Sequence, residues 1–168
     1  MRIFLIGFMG CGKTTLGKKL AQKMSYDFID LDHEVERAAG MSVSSYFSTN
    51  GEDAFRLLEK QTLNAIDFPR NCVISAGGGT PCFFDNMEFM NRNGITIYIE
   101  MPALALAQRL EHGKHKRPLL ANMDEQQLVD FIKEKLVERD PFYKRSFLTV
   151  SGINITADHV RNNLFQIF

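Results

Sequence analysis

The sequence predicts an α/β protein, a three-layer α/β/α sandwich built on a five-stranded parallel sheet. Three observations carry that prediction. Short apolar runs alternate with longer amphipathic stretches along the whole chain. The first run, Ile3-Phe4-Leu5-Ile6, passes directly into Gly7-Phe8-Met9-Gly10-Cys11-Gly12-Lys13-Thr14. That segment fits GxxxxGK[ST], a phosphate-binding loop at the point where a strand hands over to a helix. No Pro/Ser-rich linker, low-complexity segment or internal repeat divides the chain, so residues 1–168 are expected to form a single domain. Strands joined by right-handed helical crossovers lie parallel with both faces covered, and ligands then sit at their carboxyl ends.

The elements follow in order. Residues 2–7 read as a strand, and 13–24 as a helix with Leu16, Leu20 and Met24 on one face. Phe28 and Ile29 form a short second strand. Helical segments follow over about 32–39, 43–48 and 52–66, the last with Phe55, Leu58, Thr62 and Ile66 at helical spacing. Asn71 to Ser75 is a third strand that runs into Gly77-Gly78-Gly79, and Ile95 to Ile99 a fourth, followed by a helix starting near Pro102. Asn122 with Glu125 has the spacing of a capping box for a helix with Leu128, Phe131, Ile132 and Leu136 along its core stripe, ending by Pro141. Phe147 to Val150 is a fifth strand, and 157–167 a closing helix.

Composition narrows the function class. Of 168 residues 45% are apolar, and no run is long enough to span a bilayer. The N-terminal run lacks the layout of a signal peptide, so the cytoplasm is the expected compartment, with no membrane partner. Twenty basic residues balance twenty acidic ones, and no global field favours nucleic acid. Cys11, Cys72 and Cys82 lack CxxC spacing and read as free thiols. His33, His112, His115 and His159 show no metal-ligand spacing and read as surface residues. Without a heptad seam, a monomer is expected.

The phosphate loop carries the most specific chemistry. Its glycines let backbone N–H groups turn toward phosphate oxygens, Lys13 reaches the β- and γ-phosphates, and the Thr14 hydroxyl ligates Mg²⁺. Just after the second strand, Asp30-Leu31-Asp32 would present two carboxylates on one face if the backbone is still extended; the alternative makes Asp32 the N-cap of the following helix and Asp30 a solvated charge. Arg56 stands four residues after Glu52 and three before Glu59, the spacing of an ordinary surface ion-pair row. Gly77, Gly78 and Gly79 mark a backbone that a ligand approaches closely. His112 to Pro118 is a basic stretch containing Arg117, readable as a solvated loop or as a mobile lid. Arg139 is placed near a helix C-terminus, where any cation is favoured.

Together these residues resemble the shikimate kinase family, a group of P-loop kinases related to the nucleoside-monophosphate kinases. The likeness covers essentially the whole chain. It rests on Gly7 to Thr14, Asp30-Leu31-Asp32, Gly51-Glu52 with Phe55-Arg56 and Glu59, Gly77-Gly78-Gly79, Arg117-Pro118-Leu119-Leu120, and Arg139 with Pro141 and Tyr143. The resemblance implies a P-loop kinase fold with a mobile lid at about 112–123 and a substrate-binding segment at about 32–66. It implies transfer of the γ-phosphoryl of ATP to the 3-hydroxyl of shikimate, with Mg²⁺. The nucleotide would be held by Gly10, Cys11, Gly12, Lys13, Thr14 and Thr15 with Arg109 and Arg117, adenine falling near Arg109 and the loop after the fifth strand. Arg56 and Arg139 would clamp the shikimate carboxylate, Glu59 would orient Arg56, and Phe47 and Phe55 would supply apolar wall. Asp32 would bind the ring hydroxyls opposite Gly77, Gly78 and Gly79. Lys13, Asp32 and Arg117 would be catalytic, and Thr14 with Asp30, through water, would hold the metal.

Three departures from the common pattern stand out. The third strand ends in Ser75-Ala76 without the acidic residue usual in P-loop enzymes, an arrangement the family shares. Cys11 occupies a position where the family usually has a smaller residue, and a helix N-terminus there would sensitise the thiol to alkylation. Leu31 replaces a common threonine and should point away from the carboxylates. With an ordinary value of about 3.9, Asp32 is expected to orient the hydroxyl first and take its proton late. Gluconate kinase and the adenylate kinase group share the loop, but a nucleotide acceptor needs a base-binding site that is not found here. A non-catalytic nucleotide switch would have no use for Asp32, Arg56, Arg117 and Arg139 together.

Overall fold

In the computed structural model, which describes residues 1–113 and 120–167, five parallel strands form one sheet. They are β1 (Arg2–Ile6), β2 (Asp27–Asp30), β3 (Cys72–Ser75), β4 (Ile95–Glu100) and β5 (Leu148–Ser151), in the order β2-β3-β1-β4-β5. The helices are α1 (Lys13–Met24), α2 (Leu31–Ala39), α3 (Val43–Ala65), α4 (Asn86–Asn93), α5 (Ala103–Glu111), α6 (Glu125–Tyr143) and α7 (Ala157–Ile167), with a 3₁₀ turn at Thr80–Cys82. The central strand shows why two layers form. Side chains alternate along it, so Ile3 and Leu5 join α1, α5, α6 and α7 in one core, while Phe4 and Ile6 join α2, α3 and α4 in the other. Register aligns the carboxyl ends, pairing Leu5 with Ser75 and Ser75 with Asp30. The chain leaves β1 toward β2 and later crosses to β4 on its far side, so the phosphate loop lies where the strand order reverses.

Four features differ from the sequence expectation by more than a residue. The helix over 86–93 was not anticipated: it lacks a side-chain cap at Asp85 and is held by the packing of Met87 and Met90, both fully buried. The two segments expected at 43–48 and 52–66 form α3, broken at Gly51, whose φ of 82° and ψ of 175° are not helical. Asp124, rather than Asn122, caps α6: its carboxylate accepts the Gln127 N–H at 2.8 Å, and the Gln127 side chain accepts the Asp124 N–H at 2.9 Å. That helix continues past Pro141 to Tyr143. Proline deprives only the Val137 carbonyl of an intrahelical partner, on a turn whose Val137 side chain is largely exposed, while Lys144 N–H still closes on Asp140 O at 2.9 Å. Packing favours the extension, since the Tyr143 ring lies 4.9 Å from that of Tyr98 in the core.

Candidate active site

The loop between β1 and α1 makes an anion cradle. Gly10 and Gly12 adopt φ of 82° and 98°, values that side chains rarely allow. Gly12 is the N-cap of α1 and no side chain bonds the first-turn amides, leaving those N–H groups open to an oxyanion. Lys13 is buried, and its Nζ donates to the carbonyls of Gly7 at 2.8 Å and Phe8 at 3.0 Å. It is therefore already aimed into the loop interior. Thr15 stands exposed beside it in the first turn of α1.

Cys11 is 1% exposed, with its Sγ 3.7 Å from Lys13 Nζ and its side chain in the core. The expected sensitivity to alkylation loses its basis, because the thiol faces inward. Behind the loop, Arg109 donates to Cys11 O at 3.1 Å and to Gly152 O at 3.4 Å. The two regions that the sequence offers for adenine are thus in contact.

At the carboxyl end of β2 the backbone does not stay extended through Asp32. It turns helical at Leu31, and Asp30 rather than Asp32 becomes the N-cap of α2, its carboxylate accepting the Asp32 N–H at 3.2 Å. The expected shared face therefore arises from a strand-to-helix corner rather than from strand pleat. Leu31 points away as anticipated and is fully buried. The other Asp30 oxygen accepts the Thr14 hydroxyl at 2.8 Å, and Thr14 Oγ1 lies 3.3 Å from Ser75 Oγ. Ser75, at the end of β3, thus stands beside Thr14.

The glycine triplet is where these parts meet. A methyl group placed on Gly77 would stand 2.8 Å from Glu59 Oε1 and 2.9 Å from Asp32 Oδ1, and one on Gly78 would stand 3.6 Å from an Arg139 guanidinium nitrogen. On Gly79 it would collide with the Arg56 guanidinium, 2.7 Å from its central carbon. Three consecutive backbone positions therefore touch Asp32, Arg139 and Arg56 in turn. At Gly77 and Gly79 only glycine admits so close an approach.

Arg56 is not a surface cation. It is 8% exposed, donates to Glu59 Oε2 at 2.9 Å, and its guanidinium carbon lies 4.3 Å from the Phe83 ring centroid and 5.1 Å from that of Phe55. Glu59 is 1% exposed and its second oxygen accepts the Thr80 hydroxyl at 2.5 Å. Phe47 packs on Phe55 at 5.4 Å. On the opposite wall Arg139 lies over Phe8 at 5.2 Å, and the Tyr143 hydroxyl donates to Gly78 O at 2.5 Å. Sequence reasoning missed Thr80 and Phe83; their position directly after three glycines was the available signal.

Asp32 keeps contact with solvent in the cleft, yet its carboxyl is pushed up to about 6. Desolvation by the surrounding protein is the largest cause, followed by the negative charges of Asp30 and Glu59, while Lys13 acts in the opposite sense. The ordinary carboxylate value assumed from sequence does not hold here. Residues 114–119 of the expected lid, Arg117 among them, lie outside the described residues.

Residues 9–167 match the family model for shikimate kinase. The chain belongs to the shikimate kinase family. A shikimate kinase of Phocaeicola vulgatus is 50% identical over 145 residues, covering 86% of this chain and 83% of the relative. The crystal structure of a shikimate kinase from Bacteroides thetaiotaomicron superposes with a TM-score of 0.89 at 40% identity, covering 99% of this chain and 97% of that one. A shikimate kinase from Acinetobacter baumannii, solved in complex with shikimate, gives 0.85 at 32% identity, over 99% of this chain and 91% of that one. Family membership makes the chain an ATP-dependent kinase, and its parallel five-stranded sheet is that of the shikimate kinases.

Proposed function

We propose that the chain transfers the γ-phosphoryl group of ATP to the 3-hydroxyl of shikimate, giving shikimate 3-phosphate and ADP on the route to chorismate and the aromatic amino acids. The observation that carries this reading is the convergence on Gly77 to Gly79 of two guanidinium groups, two carboxylates and the phosphate loop. A small polyhydroxylated carboxylate needs such a set: cations for its charge, an acceptor for its hydroxyls, and a γ-phosphate within reach. In this reading residues of about 32–66 receive the acceptor and about 112–123 close over it.

Arg56 and Arg139 hold the carboxylate, a task suited to planar guanidinium forks. Asp32 accepts a hydrogen bond from the reacting hydroxyl and takes its proton as the oxygen bonds to phosphorus. Its raised proton affinity makes it a stronger base than an ordinary carboxylate while leaving it largely ionised at neutral pH. Lys13 exchanges the loop carbonyls for phosphate oxygens. Thr14 and Asp30, the latter through water, would hold Mg²⁺, and with Ser75 they form a set of hard oxygen donors suited to it. Bound there, the ion would supply positive charge that offsets the charge of the phosphates. Arg117 would add charge over the transferring group, and the enzyme would work as a cytoplasmic monomer; no helix among the described residues is long and apolar enough to cross a membrane.

Two substitutions probe the two ends of the site. Gly79→Ala forces the Arg56 guanidinium aside and is expected to raise the KM for shikimate about tenfold or more, with the KM for ATP little changed. An unaltered shikimate KM would show that Arg56 does not need its place beside Gly79. Arg117→Ala is expected to lower kcat about a hundredfold, the size of a lost transition-state charge contact, with a smaller effect on shikimate binding. Normal turnover at saturating substrates would remove Arg117 from the mechanism. The reaction itself is tested by phosphorus and proton NMR of the product, expected to show one ester, on the 3-hydroxyl; an ester at another hydroxyl would overturn the proposed geometry of Asp32.

A further inference from the structure

We infer that Thr80 is a positioning residue for acceptor binding, holding the Glu59 carboxylate so that Glu59 in turn fixes the Arg56 guanidinium beside Gly79. The inference rests on the proposed role of Arg56 as a clamp for the acceptor carboxylate.

Arg56 has two carboxylate neighbours, and they are unequal. Glu52 has a side chain 52% exposed and meets Arg56 at 3.4 Å, an arrangement that contributes little. Glu59 is buried, meets Arg56 at 2.9 Å and decides where the guanidinium lies. A carboxylate swivels about its last bond, a broad torsion, so one partner alone does not set its plane. Thr80 supplies the second point. Its hydroxyl donates to Glu59 Oε1 at 2.5 Å while Oε2 receives Arg56, and both bonds are assisted by the carboxylate charge. Thr80 itself is rigid: it is fully buried, its N–H donates to Gly77 O at 3.1 Å, and its carbonyl accepts the side-chain amide of the buried Asn86 at 3.0 Å. The turn that Thr80 opens also carries Phe83 onto the Arg56 guanidinium. The segment after the glycines thus locks both the partner and the face of the clamp.

Thr80→Val keeps the shape and removes the donor, leaving one buried Glu59 oxygen unpartnered. The expected result is a shikimate KM raised about ten- to a hundredfold, the range for a lost hydrogen bond to a charged group, with kcat and the ATP KM changed less than about threefold. Thr80→Ser, which restores the hydroxyl, is expected to return the shikimate KM to near wild type. In a Glu59→Ala background Thr80→Val should add no further effect, because the partner through which it acts is gone. An unchanged shikimate KM in Thr80→Val, a parallel loss in kcat and ATP KM, or failure of serine to rescue would each overturn the inference. Arg56→Ala in the same assay separates the two levels. If it raises the shikimate KM and Thr80→Val does not, only the role of Thr80 fails; if it leaves that KM unaltered, the clamp and this inference fail together.

Discussion

Asp32→Asn is expected to lower kcat by about a hundred- to ten-thousandfold at saturating ATP and shikimate, the range for loss of a positioned general base. The amide is isosteric and can still orient a hydroxyl, but it cannot take a proton. Stability should move the other way. A carboxyl raised from 3.8 to about 6 makes the native state bind more protons than the unfolded chain between those values, so Asp32 lowers stability as pH rises through that window. The asparagine variant of the nucleotide-free protein should therefore have the higher Tm above about pH 6, and the difference should vanish below about pH 4. In turnover the acid limb assigned to Asp32 should fall between the ordinary carboxylate value and about 6, because a bound cation adds to the downward pull that Lys13 already exerts. A variant with full kcat, or one with a Tm advantage confined to acid pH, would remove Asp32 as the base with raised proton affinity.

Arg56→Ala should show the second large effect, on acceptor and fold alike. Glu59 is 1% exposed and would lose its ionic partner while staying buried. Breaking such a pair from one side costs about 3–5 kcal/mol, and in a domain of this size that is a Tm loss of about 6–20 °C. The site opens to the cleft, so the lower end of the range is expected. Shikimate KM should rise at least about a hundredfold while ATP binding, monitored by fluorescence titration, holds, since the hydrogen bonds of Arg56 among the described residues go to Glu52 and Glu59 and not to the phosphate loop. Arg56→Lys should recover much of the stability and little of the acceptor binding, because an ammonium lacks the planar fork. Equal recovery of both would reduce Arg56 to a structural cation.

What was legible from sequence follows a physical divide. The phosphate loop, Lys13 and Thr14 depend on contiguous residues whose spacing dictates their chemistry, and the structure puts that segment between β1 and α1, the strand-to-helix junction the spacing implies. Strand and helix periodicity likewise yielded the five strands and the faces of α1 and α3. Arg56 was ambiguous, since its i,i+3 and i,i+4 carboxylates look the same on a solvated helix and in a buried clamp; only tertiary packing by Phe55 and Phe83 separates them. Asp30 and Asp32 were identified, but the corner at Leu31 and the desolvation of Asp32 depend on neighbours distant in the chain, Glu59 among them. Helix α4 was missed because Met87 and Met90 hold it by packing alone, and the cap of α6 was misplaced because two candidate pairs stand two residues apart. Thr80 carries no motif: its role exists only once the turn after Gly79 meets α3.

The most direct test is ADP release by the purified protein with ATP and Mg²⁺, with shikimate, gluconate or AMP as acceptor, in wild type and Asp32→Asn. The expected result is release that depends on shikimate and is lost in the variant. Release with gluconate or AMP but not shikimate, or ATP binding with no acceptor-dependent release at all, would contradict a site built to bring a cyclic polyhydroxy acid to the γ-phosphate.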